Sequence, residues 1–256
     1  MRVATLNILH GRSPADGRVD VERFAAAIRT LDADVLALQE VDRDQPRSLG
    51  AELTSVAAEA MGATAHRFVA ALSGTPGMTW GAATGDEQPG TSAYGIALLS
   101  RYPVLGWQVL RLPPLRVPVP LWHGGLRPDV VHDEARVAVM ATVSTPRGDV
   151  LVATTHLSFL RGCNVVQLRR LVRAVSRYAG PAIAMGDFNM QPALARRVTG
   201  MQPLATQLTF PAGAPDRQID HILARGLSST VSGEAVELPL SDHLALYVDL
   251  DEAARS

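Results

Sequence analysis

Short apolar runs in this chain stop, one after another, on a side chain that can hold a proton, a metal or an anion. Thr5-Leu6-Asn7 closes the first run, Val35-Leu-Ala-Leu-Gln39-Glu40 the second and Val150-Leu-Val-Ala-Thr-Thr-His156 a later one, while Pro181-Ala-Ile-Ala-Met-Gly186 delivers Asp187 and then Asn189. Gln218-Ile219-Asp220-His221-Ile222-Leu223 sets Asp220 and His221 inside an apolar run, and Leu240-Ser241-Asp242-His243-Leu244 puts Asp242 and His243 just ahead of the last one. Each has an ordinary structural use taken singly: Asn7 can cap a turn, Glu40 can pair with an arginine, and Asp187 can bond the backbone of its own turn. His156 or His243 alone fits a hydrogen-bonded rim. Together they constrain the fold. A buried ionisable group is costly without a partner, and each partner has to come from another strand, so the ends of these strands must meet.

Runs rich in Val, Ile, Leu and Ala predict strands at Arg2 to Leu6, Val35 to Gln39, Arg67 to Leu72, Tyr94 to Leu99 and Val104 to Arg111, and again at Arg136 to Ser144, Val150 to Thr155, Ala182 to Met185, Ile219 to Leu223 and Ala245 to Val248. Helical spacing appears at Val19 to Leu31, Leu49 to Met61 and Val165 to Tyr178. Strands outnumber helices and do not alternate with them regularly. The expected fold is therefore an α/β sandwich of two packed mixed sheets with helices outside, ahead of a doubly wound parallel sheet. Ser73 to Ser92 and Leu112 to Asp133, rich in Gly, Thr and Pro, read as long loops. Trp80, Trp107 and Trp122 lie in or beside them, placed either to pack the loops down or to meet a ligand or membrane surface.

The 256 residues are 47% hydrophobic and 19% charged, enough apolar material for one large domain, expected over 1–250 with 251–256 as a tail. Formal net charge is -1 and all 24 cationic residues are arginine, so a polyanion would have to be met by a local patch. Arg161, Arg169, Arg170, Arg173 and Arg177, just after His156, are the candidates for one; an ordinary solvated helix face is the plainer use. One cysteine, Cys163, fits a reducing compartment. No run approaches the ~20 apolar residues of a spanning helix, and the expected location is the cytoplasm. Oligomeric state is not legible.

The residue types also select a chemistry. Glu40, Asp187 and Asp242 are hard oxygen ligands that suit Mg²⁺ or Mn²⁺, and neither a Cys cluster nor an HExxH pair is present for a softer ion. His243 with Asp220 makes a base and its orienting carboxylate, while Asn7, Asn189 and His156 can donate hydrogen bonds to an anion. Metal, base and anion donors together describe phosphoester hydrolysis.

The blocks TLNILHGR, LALQEVDR, YGIALLSRYPV, TTHLSF, MGDFNMQP, QIDHIL and LSDHLAL occur in an order that resembles the endonuclease/exonuclease/phosphatase superfamily, the DNase I-like fold, from Met1 to Asp249. The resemblance implies a four-layer α/β sandwich with the site at one edge of two packed sheets. It implies Glu40 as main metal ligand, Asn7 as a metal or phosphate contact, and Asp242 and Asp187 as further metal ligands or support. His156 then binds phosphate, Asp187 and Asn189 orient the water and hold the phosphate, and His243 is the general base behind which Asp220 stands. Tyr94 and Arg136 sit near positions that often line such a site, against an even chance of core packing or surface pairing. The family spans nucleases, phospholipases and phosphatases, so the fold does not choose the substrate. Where the abasic-endonuclease branch carries a YxPN-type block, this chain has Thr155-His156-Leu157. The leading expectation is a metal-dependent phosphodiesterase acting on a small or lipid-derived diester. A nuclease acting on DNA or RNA is the alternative, and a non-catalytic binding module of the same fold is the third reading.

Overall fold

The computed structural model describes residues 1–88, 90–121, 128–227 and 231–250, so Trp122 and the tail 251–256 lie outside the described residues. Along the chain run β1 (Arg2–Asn7), α1 (Val21–Leu31), β2 (Val35–Arg43), α2 (Leu53–Met61), β3 (Ala65–Gly74), β4 (Trp80–Ala82), β5 (Ala93–Ser100) and β6 (Val104–Leu112). They are followed by β7 (Val119–Leu121), β8 (Asp129–Val131), β9 (Arg136–Thr145), β10 (Gly148–His156), α3 (Cys163–Val175), β11 (Ala182–Asp187) and α4 (Pro192–Thr199). β12 (Gln202–Pro203), β13 (Asp220–Arg225), β14 (Val231–Val236) and β15 (Ala245–Leu250) complete the order.

Two mixed sheets result, one ordered β14-β15-β1-β2-β5-β3-β4 and the other β12-β13-β11-β10-β9-β6, with β7 and β8 as a separate hairpin. Each sheet contains one parallel pair joined through a helix, β1 with β2 across α1 and β10 with β11 across α3, flanked by antiparallel neighbours. The layers follow from the side chains. Val3, Ala37, Val139, Val152, Ile183 and Leu246 fill the space between the sheets. Phe24, Ile28, Leu53 and Met61 seat α1 and α2 on the outside of the first sheet, and Leu168, Leu171 and Val175 seat α3 on the outside of the second with α4 beside it. The expected four-layer mixed sandwich is what forms, and every strand and helix read from the sequence is present.

Five strands escape that reading. β4, β7 and β8 lie within the two segments read as loops, and β12 and β14 are short or flanked by turn residues. Helix α4 was not expected either: it is eight residues long, opened by Pro192 and closed by Gly200 in the left-handed region. The helix ends are locally specified. Asp20 accepts the Arg23 N–H to start α1, and Glu52 accepts the Ser55 N–H to start α2, four residues later than the spacing suggested. Trp80 packs on Tyr94 with ring centroids 5.7 Å apart and donates to Glu134, while Trp107 packs against the inner core, so both hold their segments down.

The topology places the site. Both parallel pairs run towards the same edge of the sandwich, which brings Asn7, the irregularity in β2 at Glu40, His156 and Asp187 together. In the second sheet, register sets His156 beside Asp187 and Asp187 beside Asp220.

Candidate active site

Glu40 reaches the cleft through a defect in its own strand. The β2–β5 register shifts between Gln39 and Val41, and Glu40 sits at φ 55°, so the extra residue turns its side chain out of the ladder. Gln39 stays in the ladder, bonded to Thr5 and Thr154 in the core. Asn189 (φ 49°) and Ser241 (φ 67°) are likewise left-handed, and such strain in non-glycine residues persists only where surrounding bonds hold it. Those bonds are visible. Asn189 N–H donates to Asp187 Oδ1 at 2.9 Å and its side-chain amide to the Leu157 carbonyl at 3.0 Å. Ser241 Oγ donates to the Asn7 carbonyl at 2.6 Å and accepts the His243 N–H at 3.1 Å, which pins the Ser241-Asp242-His243 turn against β1.

Asn7 ties the two sheets together. Its Nδ2 donates to Glu40 Oε1 at 3.1 Å and to Asp187 Oδ2 at 3.2 Å, while its Oδ1 accepts the Leu9 N–H at 3.1 Å. The turn-capping use and the site use therefore hold at once. Asp187 is similar: Oδ1 serves its own turn and Oδ2 faces the cleft. Asp220 is fully buried, with its N–H on Thr209 Oγ1, and its Oδ2 lies 2.9 Å from His243 Nδ1. The far nitrogen of that ring, Nε2, is 4.0 Å from Asp187 Oδ2. His221 is structural, its Nε2 on the Met190 carbonyl at 2.8 Å.

Arg136 resolves in favour of the site. It is buried, lines the cleft, and its Nη1 lies 3.2 Å from His156 Nδ1. A guanidinium has only hydrogens to offer, so Nδ1 must be the acceptor, and the proton of neutral His156 sits on Nε2, 3.4 Å from Asp187 Oδ2. Burial, the Arg136 charge and the His243 charge all hold the His156 pKa well below its usual value. Tyr94 lines the cleft as well, with burial and the Glu40 carboxylate pushing its pKa up.

The carboxylates are held against their preference for water. Burial raises the Glu40 pKa, opposed by the Asn7 hydrogen bond. Burial and the neighbouring Asp220 charge raise Asp187 to about 7, opposed by His243 and by the Asn189 and Asn7 bonds. For His243 burial opposes the charged ring, but the Asp220 charge and hydrogen bond, with Asp187 and Asp242 behind them, outweigh it and set the pKa at about 9.

Two donor groups could hold a divalent ion. Asp187, Asp220 and His243 present ligand atoms within 4.8 Å of one another, yet Asp220 and His243 are already bonded to each other. Glu40, Asp187 and Asp242 also line the cleft, with Asn7 bonded to the first two, but Glu40 and Asp242 fall outside that close cluster. Carboxylate oxygens of this kind are the donor type that hard divalent cations take.

These residues line a cleft of about 810 Å³. Of the expected site residues, Asn7, Glu40, His156, Asp187, Asn189, Asp242 and His243 reach its surface, and Asp220 stands behind His243. Arg161 lines it too, whereas Arg169, Arg170, Arg173 and Arg177 lie outside it. Unexpected from the sequence are Phe159, Leu194, Phe210, Ile219 and Arg217, which form an apolar wall with a cation at its rim. Phe210 packs against His243 with the rings tilted and their centroids 4.7 Å apart, and carries the Arg217 guanidinium 4.9 Å from its own centroid. An aromatic in a polar turn segment leaves no periodic signal by which to find it.

Fold and cleft define a hydrolase acting on phosphoester bonds. The chain belongs to the endonuclease/exonuclease/phosphatase family, whose model matches residues 4–243. Similar solved structures include an endonuclease/exonuclease/phosphatase from Beutenbergia cavernae, at 26% identity over 98% of this chain and 71% of that one, with a TM-score of 0.63. A mannosyl-6-phosphatase from Bacteroides thetaiotaomicron shares the fold at 17% identity over 98% and 99%, TM-score 0.64, and a truncated TDP2 from Caenorhabditis elegans at 17% over 97% and 96%, TM-score 0.59. No curated protein matches the chain. Among the described residues no helix is long and apolar enough to cross a membrane.

Proposed function

We propose that the protein is a divalent-metal-dependent phosphodiesterase acting on a small or lipid-derived diester. The observation that carries this reading is the buried Asp220 bonded to His243 Nδ1 at 2.9 Å, with His243 lining a cleft that also holds Asp187 and Glu40. A diester is favoured over a monoester by the apolar wall of Phe159, Leu194, Phe210 and Ile219, which can receive a second, uncharged ester substituent.

His243 takes a proton from the attacking water at Nε2 while Asp220 holds Nδ1–H and the ring orientation. Asp187 orients that water. His156, with its proton fixed on Nε2 by Arg136, and Asn189 donate to the phosphoryl oxygens, and the Arg136 charge lies behind them. Asn7 keeps Glu40 and Asp187 in place. Glu40, Asp187 and Asp242 would hold Mg²⁺ or Mn²⁺, whose positive charge would stabilise the phosphoryl oxygens and disfavour protonation of His243.

The test is hydrolysis of bis(p-nitrophenyl) phosphate beside p-nitrophenyl phosphate, with Mg²⁺, Mn²⁺ or EDTA, for wild type and His243→Ala. Metal-dependent cleavage of the diester that disappears in the variant is expected. Preference for the monoester would replace the diesterase reading with a phosphatase, and full turnover by the variant would remove His243 from the mechanism.

A further inference from the structure

The two helical layers differ in charge. On one side α1 and α2 mix Glu22 and Glu59 with Arg23 and Arg29 and are capped by Asp20 and Glu52. On the other, residues 157–201 hold seven arginines and a single acid, Asp187, which is buried in the cleft. Arg169, Arg170 and Arg173 line the outer face of α3, Arg177 follows just past its end, and Arg196 and Arg197 lie on α4 packed beside it. All six are exposed, and among the described residues none of them has a carboxylate within ion-pair distance. In a chain of net charge -1 this layer is a cationic face on an otherwise acidic protein.

At its cleft end that face turns apolar. Phe159 (44% exposed) and Leu194 (39%) line the cleft mouth, and Val166 (51%) stands on the first turn of α3. Leu115 (41%) is brought alongside by Asp133, whose carboxylate accepts the Leu115 N–H and also bonds Ser158 and Cys163. A phosphate track for a nucleic acid gains from the guanidiniums but not from aliphatic side chains held in water. A bilayer gains from both, since apolar side chains enter the headgroup boundary while basic ones meet anionic headgroups.

We propose that the α3–α4 face, with the apolar rim of the cleft, docks on an anionic phospholipid bilayer and that the cleft takes its diester from that surface. The second clause rests on the phosphodiesterase reading; the docking does not.

The test is co-sedimentation with vesicles of phosphatidylcholine with and without phosphatidylglycerol, alongside hydrolysis of bis(p-nitrophenyl) phosphate. Wild type is expected to bind the anionic vesicles at least about tenfold better than the neutral ones. Replacing Arg169, Arg170, Arg173 and Arg177 by Gln should reduce that binding about tenfold or more, while hydrolysis of the soluble diester, which also reports folding, stays unchanged. Arg196→Gln with Arg197→Gln is the second, independent variant, and Leu115→Ser with Val166→Ser, which lie outside the cleft, should weaken vesicle binding alone. Failure of wild type to bind anionic vesicles, equal binding by both arginine variants, or tighter arginine-dependent binding to a single-stranded oligonucleotide would each overturn the docking. Vesicle binding without diester hydrolysis would instead leave docking in place and remove the phosphodiesterase reading.

Discussion

His243 Nδ1 and Asp220 Oδ2 lie 2.9 Å apart with both side chains buried, and they come from different sheets, so the sandwich itself aligns the base with its orienting carboxylate. Asp220→Asn keeps the shape and removes the charge that favours the imidazolium. The His243 pKa, about 9 in the wild type, should fall, since burial is then less strongly opposed, and kcat should drop by about 10²–10⁴ with KM little changed. Titration of the ring by NMR together with steady-state kinetics checks both, and a variant with unchanged kcat would detach Asp220 from the chemistry.

Metal binding should release protons. Burial raises the Glu40 pKa, and burial with the Asp220 charge brings Asp187 to about 7, so below neutrality a proton competes with a cation for the Asp187 carboxylate. Affinity for Mn²⁺ therefore rises with pH through and above neutrality. Calorimetry in two buffers of different ionisation enthalpy reads the released protons directly. Glu40→Gln should weaken binding by roughly tenfold or more, and a pH-independent affinity would show that the ion sits elsewhere.

Arg136 fixes the His156 tautomer, and Arg136→Met tests this. Without the guanidinium, the repulsion that helps keep His156 neutral is gone, so its pKa should rise. The ring then loses the bond that fixed its proton on Nε2, and kcat should fall by about 10–10². Nitrogen chemical shifts of His156 distinguish the tautomers. Unaltered shifts in the variant would mean that Asp187 alone sets the proton.

What the sequence made legible was what repeats. Strands such as Val150–His156 and Ala182–Asp187 announce themselves through unbroken apolar runs, and the site residues through the polar groups that end them. Glu40 was legible as a residue but not as a conformation, because nothing in LALQEVDR marks the bulge that turns it into the cleft. Arg136 opens an apolar strand, where an arginine serves a rim as readily as an active site; only its 3.2 Å contact with His156 decides. The β7–β8 hairpin stayed hidden because its prolines read as loop, and α4 because eight Ala- and Arg-rich residues bury little. The apolar wall came from turns, where side chains follow tertiary contacts rather than a period.

Asp133 clasps the loop before α3 to the segment that leads into the β7–β8 hairpin, taking bonds from Leu115 N–H, Ser158 Oγ and Cys163 Sγ. Asp133→Asn weakens all three and should cost about 1–3 kcal/mol. Burial first, then Asp133, raises the Cys163 thiol to about 11. Removing the carboxylate charge lowers that pKa, so the thiol should react faster with a disulfide reagent at mildly alkaline pH. KM for a bulky diester should rise more than kcat falls, because Phe159 and Arg161 lie on the loosened loop. Equal thiol reactivity in both proteins would show that the contact does not hold the loop.

Gly186 is the one residue that can precede Asp187 here. It sits at φ 132° between β10 and β13, and a Cβ built on it would lie 2.0 Å from the Thr155 carbonyl oxygen, backbone that cannot move without carrying His156 with it. Gly186→Ala should therefore cost about 2–4 kcal/mol, a fall in Tm of roughly 5–15 °C for a chain this size. Activity should fall further than the lost stability explains, because the strand that separates takes Asp187 away from His243 and Asn7. Gly200→Ala is the control: it also has positive φ, at 65°, but it ends α4 and has no atom within 4 Å of its Cβ position. It should lose about 1 kcal/mol with kcat unchanged. If the two variants lost activity in proportion to their melting temperatures alone, the glycine would be serving the fold and not the placement of Asp187.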